Sequence, residues 1–336
     1  MEDSLRIPLE FVSGHNTDTP DKTSNHIVNM NVGGQAVIEG VMMRSPQVIA
    51  TAVRLPDGSI QVKRQEYIPL IKRFRMLNIP IVRGAINFFE MLIIGFDTLN
   101  WSADIQMEYE DRKEGKTVSK RTRLKNILVL GGTMVVAFAL ALMIFFALPI
   151  YIATLLGLTR GAMLFNVVAG TIRIILFLTY VYVVARIPDM RRIFRYHGAE
   201  HKSIFAFETT GELTIDTARG KSRFHPRCGT SFLLIVALFS IFLYGISDSL
   251  FPVIMGHMQS FGERLLTHLM LLPLVGGISY EVLKLSGRFR THPVVRFLIA
   301  PGMWLQTLTT GEPDDDMLEV ALCALKSALD QKVTEP

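Results

Sequence analysis

Four long apolar stretches dominate the second part of this chain and limit what it can fold into. They lie at residues 127–158, 162–187, 231–254 and 265–286. Each is long enough to cross the hydrocarbon core of a bilayer, which takes about 20 helical residues. A hydrophobic content of 49% and a positive mean hydropathy of +0.33 fit the same interpretation. The sequence therefore predicts a mainly α-helical polytopic membrane protein, with four transmembrane helices as two hairpins and the lipid bilayer as a partner.

The hairpins, 127–187 and 231–286, are separated by a polar loop that indicates their orientation. Loop 188–230 contains eight Lys and Arg residues, whereas the turn 255–263 contains none. Lys and Arg accumulate on the cytoplasmic side of membrane proteins. We therefore predict a multi-pass protein of the cell membrane, with both termini and loop 188–230 in the cytoplasm.

The regions outside the apolar stretches predict smaller elements. Residues 1–30 are polar, lack the apolar core of a cleavable signal peptide and read as a disordered tail. Region 31–126 predicts a β-hairpin unit that turns at Pro56-Asp57-Gly58, followed by an interfacial or core-packed helix over 79–103 rather than a fifth span. Region 287–336 predicts cytoplasmic structure, including an amphipathic helix over 314–332.

The net charge of +5 does not indicate a nucleic-acid partner. The basic residues lie where the membrane topology requires them, and no aromatic residues alternate with them to form a platform for bases. We expect no nucleic acid as a partner. A homo-oligomer is compatible with the sequence, which names no substrate or protein partner.

The polar loop concentrates residues that can bind a metal. On a helix, His197 and His201 share one face a turn apart, a spacing at which two imidazoles can hold one ion, and Glu200 projects beside them. His225 and Cys228 form a second His-x-x-Cys clip just before the third apolar stretch. These four imidazole and thiol ligands favour zinc, although another divalent metal is compatible with them.

The order His-x-x-Glu-His also matches the reversed zinc-protease signature, in which the glutamate acts as general base toward water on the metal. By that pattern Glu200 is the candidate catalytic residue. Alternatives without a metal remain open: His197 as a polar surface residue, His225 as part of a turn with Pro226, and Cys228 as a small buried side chain.

Four further charged residues need a partner or a role. Arg173 and Asp248 fall inside apolar stretches, where an ionisable group is costly unless it is paired or functional, and we expect an ion pair between them rather than a transport pathway. Glu281 lies near the cytoplasmic end of the fourth stretch. It could ligate the metal, orient a ligating histidine or form a plain salt bridge with Arg227 or Lys284, and Glu39 is a weaker candidate for the same site.

Three segments resemble one known family. GGQAVIEGVMMR (33–44), YHGAEHK (196–202) and HPRCGTSF (225–232) are similar to the YqhQ-like family of bacterial membrane proteins, a family of unknown function described as predicted metal-dependent enzymes. The resemblance implies a membrane location and a bound metal. It also implies that His197, Glu200, His201, His225 and Cys228 are the functional set.

Two classes of function follow from these residues. In the first, the protein is a membrane-embedded, zinc-dependent, hydrolase-like enzyme, in which His197, His201 and either His225 or Cys228 hold the ion and Glu200 moves protons. In the second, all four His and Cys residues close the site, and the protein is a non-catalytic, metal-stapled scaffold or membrane-biogenesis partner. The number of protein ligands separates the two.

Overall fold

The computed structural model describes residues 32–113, 132–133, 135–158, 163–288 and 292–329. The predicted disordered tail 1–30, the first residues of the apolar stretch 127–158 and the C-terminal residues 330–336 lie outside this part of the chain. A small sheet and a helical bundle are joined through one long helix, and the candidate metal ligands lie where these parts meet.

The sheet is an antiparallel meander in the order β1-β2-β3-β4. Its strands are β1 (Gly33–Val37), β2 (Gly40–Arg44), β3 (Val48–Arg54) and β4 (Ile60–Glu66). The hairpin predicted at Pro56-Asp57-Gly58 is the β3–β4 hairpin, in which Arg54 pairs with Ile60. The predicted unit of one hairpin covers only half of the sheet, because residues 33–44 form a second hairpin. The two-residue turn of that second hairpin contains Glu39 at a positive φ of 52°.

The helices in the described part of the chain follow the sheet in sequence. They are α1 (Leu70–Arg73), α2 (Val82–Lys113), α3 (Val135–Leu155), α4 (Met163–Val184), α5 (Pro188–Thr210), α6 (Ile215–Arg219), α7 (Gly229–Met255), α8 (Phe261–Arg288), α9 (Pro293–Thr309) and α10 (Asp315–Ala328). A 3₁₀ turn at Arg75–Leu77 separates α1 from α2, and α3 contains a π-helical turn at Met143–Ala147.

Both faces of the sheet are covered, because alternate side chains of a strand point to opposite sides. Val41 and Met43 pack with α5 and α10 on one face. Met42 and Ile49 pack against α2 on the other. The amphipathic helix predicted near the C-terminus is α10, whose buried leucines and alanines close the first of these cores.

Within the described residues, four helices are long and apolar enough to cross a membrane: α3, α4, α7 from Phe232, and α8 as far as Leu285. They match the four apolar stretches. α3 packs on α4, and α7 packs on both α4 and α8. Only 11–28% of the residues in the spanning windows are buried by protein, so most of the bundle surface is apolar and exposed, as expected of helices that face lipid.

α2 connects the bundle to the sheet and is not one of these four spans. Its first turns pack on α8, where the backbones approach closely at Gly84 and Gly277; a methyl group on Gly84 would lie 2.7 Å from the Gly277 carbonyl oxygen. Its later turns pack on the sheet, where the Gln35 side chain donates a hydrogen bond to the Gly95 carbonyl.

Arg173 and Asp248 do not form the predicted ion pair with each other. Each residue has other partners in the structure. Arg173 donates to the Phe145 carbonyl (2.8 Å) and to the Ser240 hydroxyl (3.2 Å). Phe145 lies in the π-helical turn, and its carbonyl has no α-helical donor because the residue four positions on, Pro149, has no N–H. Asp248 lies eight residues beyond Ser240, about 12 Å further along α7, which accounts for the different pairing.

Asp248 instead forms a buried polar cluster with two residues of α8. Its carboxylate lies 3.2 Å from the Arg264 Nε and 3.0 Å from the His268 Nε2, and each of the three residues is at most 2% exposed. The Tyr244 ring stacks on His268 with ring centroids 4.0 Å apart. No local pattern marks His268 for this role, because the contact depends on how α7 and α8 pair.

Candidate metal centre

The candidate centre begins with two histidines on α5. His197 and His201 lie one helical turn apart on the same face, with ring centroids separated by 4.4 Å. This is the arrangement that their i, i+4 spacing requires on a helix. The two imidazoles are therefore placed to share one ion.

Cys228 completes the group from the start of α7. It is the N-cap residue of that helix, and its sulfur accepts the Thr230 backbone N–H at 3.4 Å. The same Sγ lies 3.3 Å from the His197 Nε2 and also contacts the His201 side chain. One ligand atom from each of His197, His201 and Cys228 falls within 4.8 Å of the others.

Backbone carbonyls fix the orientation of both imidazoles. The Nδ1 of His197 bonds to the Thr309 carbonyl at 2.8 Å, and the Nδ1 of His201 bonds to the Arg223 carbonyl. A carbonyl only accepts, so each Nδ1 carries the proton and each Nε2 keeps its lone pair for a metal. Burial lowers the pKa of His201, which favours this neutral form.

A close backbone contact holds the end of α9 against α5. Gly198 has no room for a side chain, because a Cβ there would lie 1.9 Å from the Gly311 carbonyl oxygen. The Gly311 N–H in turn donates to the Phe194 carbonyl at 2.6 Å. This contact brings the Thr309 carbonyl within reach of His197.

Charged side chains of α5 hold the same segment after α9. Arg195 donates to the Glu312 carbonyl and to the Asp314 carboxylate, at 3.0 and 2.8 Å. The buried Lys202 donates to the Arg219 carbonyl at 3.1 Å and pairs with the Glu312 carboxylate. The lysine of the YHGAEHK motif therefore ties α5 to α6 and to the segment after α9.

His225 lies beside the group but outside it. Its ring centroid is 5.7 Å from that of His201, and its Nδ1 accepts the Arg227 backbone N–H at 3.2 Å. Its Nε2 faces the Glu208 carboxylate at 3.5 Å. The structure therefore gathers three of the four predicted ligands, and His225 shapes the turn that carries Cys228.

Glu200 is buried between α5 and β1. It is 5% exposed, and its carboxylate accepts a backbone hydrogen bond from Gly34, whose missing side chain makes room for it. Burial raises the pKa of Glu200 to about 7, against the opposing effects of His197 and the Gly34 hydrogen bond. The carboxyl group thus borders the ligand group without being one of its three members.

Glu281 and Glu39 are held by arginines away from the three ligands. The Arg83 guanidinium binds both oxygens of Glu281, at 2.6 and 2.5 Å, and so ties α2 to α8. Arg192 of α5 binds both oxygens of Glu39, and the Tyr196 hydroxyl donates to Glu39 at 3.4 Å. Of the roles weighed for Glu281, the structure shows the salt bridge, but its hydrogen-bonded partner is Arg83 instead of the predicted Arg227 or Lys284.

Known sequences resemble this chain over the region that contains the candidate metal centre. Residues 79–331, which include the three ligands, match a family described as "Protein of unknown function (DUF1385)". The chain belongs to this family. It is 34% identical over 313 residues to the "Uncharacterized protein YqhQ" of Bacillus subtilis (strain 168), an alignment that covers 89% of this chain and 92% of the relative. No solved structure matches the chain.

The family resemblance stated from the motifs is therefore confirmed, but it did not include several residues that build the centre. Gln306 and Thr309 of α9 contact His225 and His197 from more than 80 residues away in sequence. No local pattern marks them. Gly198 could have been noticed, because a glycine inside a helix between two candidate ligands costs helix stability unless a close contact requires it.

The chemistry of the three ligand atoms fits a divalent ion of the zinc type. Around a tetrahedral zinc, with Zn–N of about 2.0–2.1 Å and Zn–S of about 2.3 Å, an imidazole nitrogen and a thiolate sulfur lie roughly 3.5 Å apart. The Cys228 Sγ to His197 Nε2 distance of 3.3 Å is close to that value. Three protein ligands would leave one position of a tetrahedral ion open.

Proposed function

We propose that the protein is a membrane-embedded, metal-dependent enzyme of hydrolase-like chemistry, with zinc as the preferred ion and His197, His201 and Cys228 as its ligands. The observation that carries the proposal is the number of converging ligand atoms. Catalytic zinc sites commonly combine three protein ligands with one open position, whereas structural sites use four. His225 favours the first arrangement, because its Nδ1 accepts the Arg227 N–H and its Nε2 faces the Glu208 carboxylate instead of the three ligands.

In this proposal a divalent ion supplies Lewis-acid activation of water at the open position. The residues of the chain orient the ligands and transfer the protons. The carbonyls of Thr309 and Arg223 keep the two imidazoles in the ligating tautomer, and the N-cap geometry of α7 points the Cys228 sulfur at them. Glu200, which borders the ligands, accepts the proton from water and returns it to the leaving group.

We further propose that the centre faces the cytoplasm and that the four spans form two hairpins. The excess of Lys and Arg in loop 188–230 over turn 255–263 supports this orientation. The site lies at the ends of α7 and α8 that are opposite that turn. The hydrolysed bond would then be reached from the cytoplasmic leaflet or the cytosol.

Cobalt substitution tests the open position without a known substrate. Purified protein loaded with Co²⁺ should bind one ion per chain and show a thiolate-to-cobalt charge-transfer band that disappears in Cys228→Ser. Added azide should shift the ligand-field bands, because it occupies the fourth position. Cys323→Ser and His257→Ala serve as matched controls, since neither residue belongs to the ligand group.

The other outcomes separate the alternatives. If azide leaves the spectrum unchanged and His225→Ala removes the metal, four residues close the site, and the metal-stapled scaffold or biogenesis partner replaces the enzyme. If neither His201→Ala nor Cys228→Ser lowers the metal content, the cluster is not a metal site and both functions are lost.

Glu200→Gln tests the enzyme itself. The amide is nearly isosteric but cannot accept a proton, so this variant should keep its Co²⁺ spectrum and fold while failing to restore function to cells that lack the protein. Wild-type behaviour of Glu200→Gln, with loss of folding in the ligand variants, would instead assign the centre a structural role.

A further inference from the structure

The segment Ile68–Val82, between the sheet and α2, exposes an unusual combination of side chains. Its large apolar side chains project away from the protein instead of into a core; they are Ile68, Leu70, Phe74, Met76, Ile79 and Val82, each at least 41% exposed. Three cations lie among them, Lys72, Arg73 and Arg75, and all three are exposed. A water-soluble surface rarely groups so many exposed apolar side chains.

Contacts with the bundle place the end of this segment at membrane depth. The Ile81 carbonyl oxygen lies so close to Gly277 of α8 that a Cβ on Gly277 would be only 2.3 Å away. Gly277 precedes Leu285, the end of the candidate span, by eight residues, which is about 12 Å along the helix. Ile81 therefore lies well inside the layer that α8 crosses.

The other end of the segment lies near the membrane boundary. Phe88 of α2 contacts Phe232, the first residue of the candidate span in α7, with ring centroids 5.4 Å apart. The Leu70 N–H donates to the Glu90 carboxylate, half a turn beyond Phe88 on the same helix. α1 is thus level with the span ends, while the residues from Phe74 to Ile81 extend deeper.

The segment therefore has cations at the level of the span ends and apolar side chains deeper in the membrane. This arrangement fits one partner, a lipid leaflet that contains anionic phospholipids. The apolar side chains beyond α1 reach the acyl-chain region, and Lys72 and Arg73 of α1 lie at the level of the headgroups. Arg75 is long enough to extend back to the same level. Clustered cations beside a span attract anionic headgroups.

We propose that Ile68–Val82 is a re-entrant membrane anchor that inserts Phe74, Met76 and Ile79 into the cytoplasmic leaflet and binds anionic phospholipid headgroups through Lys72, Arg73 and Arg75. The anchor holds the sheet and the candidate metal centre at the membrane surface. It does not depend on the bound metal, so its failure would leave the proposed enzymatic function intact.

Tryptophan quenching by brominated lipids tests the insertion. Met76→Trp, measured as the difference from the parent protein in mixed phosphatidylglycerol and phosphatidylcholine vesicles, should lose emission when either lipid carries bromine on its acyl chains. Phe74→Trp provides a second probe in case the first disturbs folding. Ser59→Trp, in the β3–β4 turn, is the control and should not be quenched.

The same vesicles test the anionic preference. At equal composition, brominated phosphatidylglycerol should quench Met76→Trp more than brominated phosphatidylcholine does. Adding Arg73→Gln and Arg75→Gln should abolish this difference, whereas Arg112→Gln with Lys113→Gln, at the far end of α2, should preserve it.

Three results would overturn the proposal. Absence of quenching by either lipid, with emission typical of water, would place the segment outside the bilayer. Unquenched but blue-shifted emission would show that protein, such as a second copy of the chain, covers it. Equal quenching by the two lipids in the unaltered background would exclude an anionic partner.

Discussion

The Gln306 side-chain amide pairs with both backbone groups of His225. Its Oε1 accepts the His225 N–H, and its Nε2 donates to the His225 carbonyl, each at 2.8 Å. Gln306 is fully buried on α9. This contact fixes the turn that leads to Cys228 and connects α9 to the candidate centre.

Gln306→Leu should therefore weaken metal binding although Gln306 is not a ligand. The turn would lose both hydrogen bonds, and supporting residues of this kind typically contribute about 10–100-fold to metal affinity. Metal affinity in competition with a chelator measures the effect. Gln61→Leu, on the exposed strand β4, is the control; equal affinities in the two variants would contradict the supporting role.

Gly198→Ala should destabilise the protein. The added Cβ would lie 1.9 Å from the Gly311 carbonyl oxygen, and overpacking of this kind costs about 1–3 kcal/mol. Gly262→Ala is a matched control, since nothing lies within 4 Å of that added Cβ. Thermal unfolding in detergent should show a lower midpoint for the first variant only. A midpoint unchanged from wild type would mean that the close approach of α5 to Gly311 is not needed.

Asp248→Leu should be more damaging than Asp248→Leu combined with Arg264→Met. Removing one partner leaves a buried, uncompensated charge, which costs about 3–5 kcal/mol, whereas removing both leaves an apolar contact. Thermal unfolding of the two variants measures the difference. His268, which also contacts Asp248, is kept in both so that it does not affect the comparison. Equal stability of the two would show that the ion pair does not govern this part of the bundle.

Gly220→Cys should be protected from a membrane-impermeant maleimide in intact cells and react after permeabilisation. Position 220 is exposed on the same side of the bundle as the candidate centre. Met258→Cys, in the turn between α7 and α8, should show the opposite behaviour, and the unaltered protein gives the background from Cys228 and Cys323. Labelling of Gly220→Cys from outside would reverse the proposed orientation.

The sequence predicted those parts of the fold that depend on local pattern. Apolar length located all four candidate spans, although the first begins at Val135 instead of residue 127 within the described residues, and the i, i+4 spacing placed His197 and His201 on one face. The sequence did not predict contacts between segments that lie far apart along the chain. Nothing local indicates that Glu281 faces Arg83, or that Asp248 faces Arg264 across the α7–α8 pair.

The β1–β2 turn was not predicted for a different reason. Hairpin turns with positive φ usually carry Gly or Asn, so Glu39 gave no signal for a turn. Its conformation is instead held by tertiary contacts, because Arg192 binds its carboxylate from α5. Local sequence therefore does not indicate that Glu39 adopts this intrinsically unfavourable conformation.

Pro149 and Arg173 form one unit, although they lie 24 positions apart on different helices. The proline leaves the Phe145 carbonyl without its usual N–H donor, and the arginine supplies one. A chain with alanine at 149 would offer that carbonyl a backbone N–H of its own, so the arginine would share the carbonyl or rely on the Ser240 hydroxyl. We therefore expect these two positions to covary among related sequences, with the proline retained wherever the arginine is and both replaced together by residues that build an uninterrupted helix.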